Sequence, residues 1–189
     1  AERQALTGLP MDRQGGAVAA FDNLYLPRLH RRGYVAPDVG DAGEIVASPG
    51  GWVMDSVPGL YDNVLVLDFK SLYPSIIRTF AIDPLGLAMP CEDPIPGFEG
   101  GDFAREGHIL PDLIESLWKA RDEAKRREDL ARSRAIKILM NSFYGVLGTP
   151  ACRFHNPDIA NAITVQGRHF LQWTRSWFES RGYPVLYGD

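Results

Sequence analysis

Apolar residues recur at helical spacing in two long stretches of the chain. One stretch runs from Ile109 to Glu128, the other from Arg132 to Val146, and each has apolar side chains at steps of three and four residues: Leu110, Leu113, Ile114, Leu117 and Trp118 in the first, and Ile136, Leu139, Met140 and Phe143 in the second. This spacing gives a helix one apolar face. The polar connection near 128–131 is short, so we expect the two helices to lie antiparallel. A third helix is predicted over 157–181.

Two short apolar runs have the character of buried strands. The first extends from Asn63 to Phe69 and the second from Tyr183 to Tyr187. Their length and their content of valine, leucine and tyrosine favour a strand over a helix. The first run contains Asp68 close to its end, and the second is followed by Asp189. The pattern therefore predicts an α+β fold in which two strands end in carboxylates.

Proline and glycine divide the rest of the chain. Residues 1–43 contain one short packed segment, Val18 to Tyr25, followed by Pro27 and several glycines, and we interpret them as an irregular lead-in that links to a missing neighbouring region. Residues 71–78 form a turn that enters a helix, with Pro74 in its first turn. Residues 83–107 are rich in proline and glycine, which predicts a long loop.

Composition narrows the class of protein. A chain of 189 residues with 45% hydrophobic residues can bury one sizeable core or two small lobes. No apolar run reaches the roughly 18 residues of a membrane span, so we expect no contact with a membrane. Two cysteines are too few for a disulfide framework, which indicates reduced thiols in a cytoplasmic protein. The absence of an initiator methionine and the end at Asp189 indicate a piece of a longer chain.

The charge is unevenly distributed. The chain carries a net charge of −4, yet eight basic and four acidic residues lie between Lys119 and Lys137. On the second helix Lys137, Asn141 and Tyr144 fall within a wedge of roughly 60°, and Arg121 and Lys125 form a similar stripe on the first. Such stripes suit a triphosphate, because arginine offers forked donors and lysine a point charge.

Each of these signals also has a structural explanation. A charged stripe on a helix is usually a solvated face, and opposite charges four residues apart (Glu115/Lys119, Asp122/Arg126 and Glu123/Arg127) would support that explanation. Asp68 before a helix is commonly an N-cap. Tyr73 alone would be a packed aromatic residue, and the final Tyr-Gly-Asp alone would be a turn. Only the order and spacing of the motifs favour a functional interpretation.

Three motifs in order carry a resemblance to a known family. Asp-Phe-Lys-Ser-Leu-Tyr-Pro-Ser-Ile-Ile at 68–77 resembles the first polymerase motif of family B DNA polymerases. Lys-Ile-Leu-Met-Asn-Ser-Phe-Tyr-Gly at 137–145 resembles the second, and Tyr-Gly-Asp at 187–189 is similar to the opening of the third. Arg121 and Lys125 match the Arg-x-x-x-Lys of the fingers. By this conjunction the chain is identified as a member of family B.

The resemblance covers about residues 44–189 and implies a division into domains. It implies a family B palm, a partial antiparallel sheet with helices, in two parts (44–105 and 149–189), with a two-helix fingers hairpin (106–148) between them and a lead-in at 1–43. The flanking stretches 48–51, 58–62 and 145–149, and the lead-in at 24–30, are similar to the bacterial polymerase II branch of the family.

The implied reaction is attack of a primer 3′-hydroxyl on the α-phosphate of a dNTP, with release of pyrophosphate. The resemblance implies two Mg²⁺ ions, for which Mn²⁺ can substitute. Their ligands would be Asp68, the carbonyl of Phe69 and Asp189. The catalytic residues would be Asp68, Asp189 and Lys137.

The resemblance also assigns residues to the nucleotide. The backbone N–H groups of Ser71 and Leu72 would contact the triphosphate, and Tyr73 would be the steric gate that excludes a ribose 2′-hydroxyl. The remaining assignments are phosphate neutralisation by Arg121, Lys125 and Lys137, contact with the incoming nucleotide by Asn141, and the minor-groove side of the nascent base pair by Tyr144 and Gly145.

The resemblance also implies partners and a limit on activity. The partners would be primer–template DNA, dNTPs and a sliding clamp bound through regions outside this chain, in a cytoplasmic, nucleoid-associated protein. The family places its second indispensable aspartate two residues after Asp189, so the chain alone is expected to be inactive. Two alternatives stay open: a non-catalytic polymerase homologue with a structural role, and a metal-dependent sugar-nucleotide transferase, which would not explain the stripe of Lys137, Asn141 and Tyr144.

Overall fold

The two helices predicted from apolar spacing and the third helix predicted over 157–181 all form. In the computed structural model, α5 (Leu110–Arg126) and α6 (Leu130–Leu147) pack against each other as an antiparallel hairpin, and α7 (Pro157–Glu179) follows. Local chemistry fixes where two of them begin. The side chain of Asp129 accepts a hydrogen bond from the Arg132 N–H at 2.9 Å, and that of Asn156 accepts one from the Asp158 N–H at 2.8 Å. Both are N-caps that satisfy a donor left unpaired by the helix.

Four shorter helices and one small hairpin complete the architecture. The structure describes residues 2–10, 12, 16–41, 50–97 and 101–189. Within them lie α1 (Glu2–Thr7), α2 (Ala17–Arg31), α3 (Leu72–Thr79) and α4 (Pro84–Ala88), and β1 (Ile95–Pro96) pairs antiparallel with β2 (Asp102–Phe103). The fold is therefore mixed and mostly helical, with one two-stranded antiparallel sheet among the described residues.

The lead-in is more regular than predicted. Residues 17–31 form one helix with Pro27 inside it, so the prediction that Pro27 breaks the chain is wrong. A proline in a helix interior costs about 3 kcal/mol. Helix α2 buries Phe21 and Tyr25 before the proline and Leu29 after it, and full burial of each such side chain contributes about 1.5–3 kcal/mol. Tertiary packing thus exceeds the local cost.

An aromatic cluster joins α2 to the rest of the core. The ring of Phe21 stacks on Tyr25 at 5.1 Å and meets the edge of Phe143 from α6 at 5.5 Å. Phe154, which precedes α7, lies 4.7 Å from the Tyr25 ring. Two of these rings come from α2 and the other two from a region more than a hundred residues later, so the lead-in contributes to the same core as α6.

The segment predicted as one long loop contains regular structure. Residues 83–107 include α4 and the β1–β2 hairpin, and residues 98–100 lie outside the described residues. The loop prediction missed that Asp83 organises this region. Its carboxylate accepts hydrogen bonds from the N–H of Gly86 at 2.9 Å, the N–H of Leu110 at 2.7 Å and the hydroxyl of Tyr25 at 3.0 Å.

The buried environment of Asp83 acts on its carboxyl group in two directions. Burial raises the pKa of the Asp83 carboxyl, and the hydrogen bonds from Leu110, Gly86 and Tyr25 lower it. Burial also raises the pKa of the Tyr25 phenol, with the charge of Asp83 as the next cause. All three donors point at carboxyl oxygens, which is the arrangement that satisfies an ionised carboxylate.

Neither predicted strand forms a ladder in the part of the chain that the structure describes. Val64, Leu65, Val66 and Leu67 are 55%, 83%, 91% and 68% exposed, so the prediction of a buried strand at 63–69 is wrong there. A continuous apolar run is buried only where both faces are covered and neighbouring strands pair with it, and the described residues supply neither. The second run is held by two backbone bonds, Met54 N–H to the Gly188 carbonyl at 2.8 Å and Val57 N–H to the Leu186 carbonyl at 3.1 Å.

Two smaller expectations can be compared with the structure. Both cysteines are free, Cys91 exposed and Cys152 buried, and burial raises the pKa of the Cys152 thiol to about 11. Over the described ranges, no helix has both the length and the apolar character needed to cross a bilayer.

Replacing Asp83 by alanine is expected to lower the free energy of unfolding by at least about 3 kcal/mol. The substitution leaves three buried donors without an acceptor, and each unsatisfied buried donor costs about 1–3 kcal/mol. Urea unfolding of the chain measures the change. Asp93→Ala is the matched control, because Asp93 is an exposed carboxylate paired with Arg105 and such pairs contribute about 0–1 kcal/mol. Equal effects of the two substitutions would contradict the role given to Asp83.

Candidate functional site

A strained turn leads into α3. Ser71, the residue before this helix, has φ 52° and ψ 59°, in the left-handed region. A residue other than glycine pays about 1–3 kcal/mol in a sparsely populated conformation of this kind, and such residues cluster at functional sites. Three hydrogen bonds support the turn: Ser75 N–H to the Ser71 carbonyl at 2.9 Å, Ser75 hydroxyl to the Lys70 carbonyl at 3.1 Å, and Arg121 to the Ser71 hydroxyl.

Arg121 reaches this turn from α5. Its Nη1 donates to the Ser71 Oγ at 3.4 Å, and its Nε is buried with no hydrogen-bond partner among the described residues. The structure therefore brings two separate predicted site residues into contact. An arginine that retains unused donors beside a helix N-terminus is well suited to an anionic ligand, because a guanidinium can bind two oxygens of a phosphate at once.

The rest of the basic stretch divides into paired and unpaired cations. Of the charge pairs predicted four residues apart, Glu115/Lys119 forms at 3.3 Å and Glu123/Arg127 at 2.6 Å. The predicted pair Asp122/Arg126 is wrong, because Arg126 bonds to Glu123 instead. Hydrogen bonds from Arg127 and Arg126 lower the pKa of the Glu123 carboxyl. These pairs are the solvated face that the sequence left open as an alternative.

Three of the predicted nucleotide-binding residues do not belong to that face. Lys125, Lys137 and Asn141 are exposed, and within the described ranges no hydrogen bond or ion pair engages their side chains. Lys125 lies one turn beyond Arg121 on α5, while Lys137 and Asn141 lie one turn apart on α6. The two helices are packed as a hairpin, so these side chains project from one unit as cations and an amide available to a polyanion.

The second residue of α3, Tyr73, contacts α6. Its ring lies 4.6 Å from that of Tyr144, with an angle of 50° between the planes. Burial raises the pKa of the Tyr73 phenol, and Tyr144 adds to the effect. Gly145, the neighbour of Tyr144, faces open space, because a Cβ built on it would meet nothing within 4 Å. The first and second motifs are therefore joined through two tyrosines.

The first motif also meets the end of the chain. Phe69, Leu72, Tyr73 and Asp189 line one small cavity of about 40 Å³, together with Gly51, Trp52, Thr164, Gly167, Arg168 and Leu171. The hydroxyl of Tyr187 donates to the Asp189 carboxylate at 3.3 Å. Asp68, next to Phe69, is exposed. The structure thus places Asp189 beside the first motif although the two are far apart in sequence.

Phe69 and Asp189, which line this cavity, and the neighbouring Asp68 supply oxygen donors of the type that Mg²⁺ prefers. Within the described residues no group of three or more histidine, cysteine, aspartate or glutamate side chains could hold a metal by itself. Mg²⁺ does not need one, because it usually keeps several waters and is bound by one or two carboxylates together with substrate phosphates. The carboxylates of Asp68 and Asp189 and the backbone carbonyl of Phe69 are hard oxygen donors of that kind.

Sequence reasoning missed several residues around the site. Trp118 was assigned only to an apolar face, but its ring makes cation–π contacts with two basic residues. The Nζ of Lys70 lies 5.4 Å from the ring centroid, and the Cζ of Arg78 lies 4.9 Å from it. Arg78 also bonds to Glu115 at 2.6 Å, so α3 and α5 are joined by charge as well as by packing. Arg168, Gly51 and Gly167 line the small cavity. Gly167, a glycine in the interior of the predicted third helix, is a signal in the sequence that could have indicated a close approach of another segment there.

Comparisons with known proteins agree with the arrangement of the motifs. The family model for DNA polymerase family B matches residues 13–91 and 104–187. DNA polymerase II of Escherichia coli (strain K12) is 55% identical over 193 residues, which cover 100% of this chain and 24% of that protein. The DNA polymerase of Thermococcus gorgonarius is 34% identical over 98% of this chain and 26% of its own length.

A solved structure supports the same assignment. The family B DNA polymerase of Pyrobaculum calidifontis matches with a TM-score of 0.75 and 26% identity, over 100% of this chain and 27% of that one. The chain therefore spans about a quarter of the length of the relatives it matches. Identity over the whole chain also confirms the similarity to the bacterial polymerase II branch, although residues 42–49, with Ser48 and Pro49 of one flanking stretch, lie outside the described residues. The chain belongs to DNA polymerase family B.

Proposed function

We propose that the full-length protein that carries this chain is a template-directed DNA polymerase, which extends a DNA primer with dNTPs and releases pyrophosphate. One observation carries the proposal: helix α5, the second motif and the third motif, all far away in sequence, each come to residues 69–73 of the first motif. Arg121 of α5 contacts Ser71, Tyr144 of α6 contacts Tyr73, and Asp189 lines one cavity with Phe69. A polymerase needs phosphate-binding groups, a nucleotide pocket and carboxylates in one place.

The triphosphate would bind at the N-terminus of α3. The first N–H groups of a helix have no partner within the helix and carry the positive end of its dipole, which makes that end an anion site. Ser71 and Leu72 would present their N–H groups to the phosphates, and Arg121 already lies beside Ser71. Lys125 and Lys137 would neutralise the remaining charge, Lys137 would assist the departing pyrophosphate, and Asn141 would contact the incoming nucleotide.

Asp68, Asp189 and the Phe69 carbonyl would hold two Mg²⁺ ions, for which Mn²⁺ can substitute. When bound, such a pair of metal ions stabilises charge on the attacking and leaving oxygens of an in-line displacement. The role of the chain itself is to keep the carboxylates beside the nucleotide pocket. Residues 54–57 do this for Asp189, because their two backbone bonds hold 186–188 in place.

The sugar and the base would be recognised on the other side of Tyr73. We propose Tyr73 as the gate against a ribose 2′-hydroxyl, with Tyr144 and Gly145 along the minor-groove side of the new base pair. In this scheme α5 and α6 are the fingers (106–148), residues 44–105 and 149–189 form the palm, and 1–43 is the lead-in. Primer–template DNA is the macromolecular partner. A sliding clamp would bind through other parts of a cytoplasmic, nucleoid-associated protein.

Primer extension by the full-length protein tests the proposal. With Mg²⁺, a labelled primer on a template of known sequence and four dNTPs, we expect full extension. Omitting one dNTP should stop the product at the first template position that requires it. The 189-residue chain, assayed in parallel, shows whether these residues suffice alone. Retention of primer–template binding with no extension by the full-length protein would instead identify a non-catalytic homologue.

A further inference from the structure

We propose that Gly51 and Gly167 are positioning residues for Tyr73, and that the absence of side chains at these two positions sets the sugar selectivity of the enzyme. The inference rests on the proposed function, because it assumes that Tyr73 discriminates between deoxyribose and ribose. It adds to that function two residues to which no contact with nucleotide or metal is assigned. They would act by setting the position of the Tyr73 ring.

Gly167 lies where α7 crosses α3. It is buried in the interior of α7, where glycine costs about 1 kcal/mol relative to alanine. A Cβ at this position would lie 3.3 Å from Cε1 of Tyr73, and 3.8 Å from side-chain atoms of Leu72 and Ile76. The contact with the ring is the tight one, while the other two are ordinary van der Waals distances. Helix α7 therefore has a glycine, which lowers helix stability, at the position where the methyl group of an alanine would displace the Tyr73 ring.

Gly51 makes the corresponding approach to the other end of the ring. A Cβ built on it would lie 3.2 Å from the Tyr73 hydroxyl oxygen. Its neighbour Gly50 has φ +73°, a conformation that favours glycine, but Gly51 lies outside the left-handed region. Backbone conformation thus explains a glycine at 50 and not at 51. The close approach of the Tyr73 hydroxyl is the remaining physical reason for a glycine there.

Together these contacts define the position of the Tyr73 ring; we call the space bounded by Gly51, Tyr144 and Gly167 the seat of Tyr73. Gly167 borders one edge, Gly51 borders the hydroxyl and Tyr144 packs against the ring at 4.6 Å. Steric exclusion of a hydroxyl group depends on contact distance, and misplacement of a reacting or selecting group by as little as 1 Å can change rates by about a hundredfold. A shift of a few tenths of an ångström is therefore enough to alter selectivity without removing a metal ligand or a phosphate-binding cation.

The test measures single-nucleotide insertion of a dNTP and of the matching rNTP by the full-length protein. Gly167→Ala and Gly51→Ala are each expected to change the ratio of the two kcat/KM values by about threefold or more. Gly148→Ala is the matched control. Its Cβ would meet the Tyr144 carbonyl at 3.6 Å, an ordinary contact, and its ratio should equal that of the unmodified protein. Thermal unfolding of every variant verifies that it folds.

Removing the Tyr73 hydroxyl distinguishes the effect of Gly51 from that of Gly167. In a Tyr73→Phe background, Gly51→Ala should no longer change the ratio, because the atom it would crowd is gone. Gly167→Ala should still change it, because Cε1 remains. If Gly167→Ala does not fold, the proposal is tested by Gly51→Ala alone, measured in the unmodified protein and in the Tyr73→Phe background.

The outcomes distinguish this inference from the proposed function. If Tyr73→Ala changes sugar selectivity while both glycine variants keep the original ratio, Tyr73 is the gate and the seat made by the glycines plays no part. If Tyr73→Ala itself leaves selectivity unchanged, the gate is wrong and the inference falls with it. An effect of Gly51→Ala that persists in Tyr73→Phe would also overturn the role given to Gly51.

Discussion

Replacing Asp68 by alanine is expected to lower kcat/KM for primer extension by the full-length protein at least about a thousandfold, which corresponds to about 4 kcal/mol of lost transition-state stabilisation. Asp68 is exposed and directly precedes Phe69, which lines one small cavity together with Asp189. Loss of the Asp68 carboxylate removes the charge that would hold a divalent cation beside the α-phosphate, and such electrostatic stabilisation is usually the largest single contribution to catalysis. Extension is measured with Mg²⁺ and all four dNTPs.

Two controls isolate the role of this carboxylate. Asp62→Ala removes an exposed aspartate six positions earlier and should retain full activity. Binding of primer–template DNA by Asp68→Ala should persist, because the basic residues of α5 and α6 are intact. An Asp68→Ala protein with extension within tenfold of the original would exclude Asp68 as a metal ligand.

Replacing Tyr73 by alanine is expected to raise ribonucleotide incorporation relative to deoxyribonucleotide incorporation by about a hundredfold, or roughly 2.7 kcal/mol of lost discrimination. The half-buried ring fills the space between α6, α7 and residue 51, and its removal opens that space to a 2′-hydroxyl. The ratio of kcat/KM values for a matched rNTP and dNTP measures the change.

Tyr73→Phe is the informative companion because it retains the ring and removes only the hydroxyl. Steric exclusion predicts that the phenylalanine variant still rejects ribonucleotides, whereas recognition through the hydroxyl predicts that selectivity is lost in both variants. An alanine variant with the original ratio would assign the selection of the sugar to another residue.

The sequence predicted the parts of the fold that depend on local periodicity. Helices α5 and α6 were predicted because apolar residues repeat along one face, and a third helix was predicted over 157–181. The observed ends of all three lie within a few residues of those predicted. Helix α2 was missed because Pro27 is a strong local signal that tertiary burial of Tyr25 and Leu29 overrides. The strand at 63–69 was predicted from apolar character, but burial of a strand depends on neighbours that the described residues do not include.

The candidate site divides in the same way. Residues within a motif were found from the resemblance, because their spacing is local. The left-handed turn at Ser71 and its contact with Arg121 depend on residues fifty positions apart, which no local pattern encodes. The contacts of the Tyr73 ring with Gly167 could not be predicted without knowing the position of α7 relative to α3. Whether Asp68, Lys137 and the other assigned residues act as proposed stays a prediction.

The hydrogen bonds of Asp83 limit how the α5–α6 hairpin can be exchanged between relatives. The carboxylate of Asp83 receives the N–H of Leu110, the first residue of the hairpin, and also the hydroxyl of Tyr25 from the lead-in. If the hairpin were transferred alone, the Leu110 N–H would have to bond to whichever acceptor the recipient protein supplies. The orientation of the hairpin relative to the rest of the molecule would then depend on the position of that acceptor. Tyr25, Asp83 and the α5–α6 hairpin are therefore structurally coupled. A chimera of two polymerases should take all three from the same parent protein.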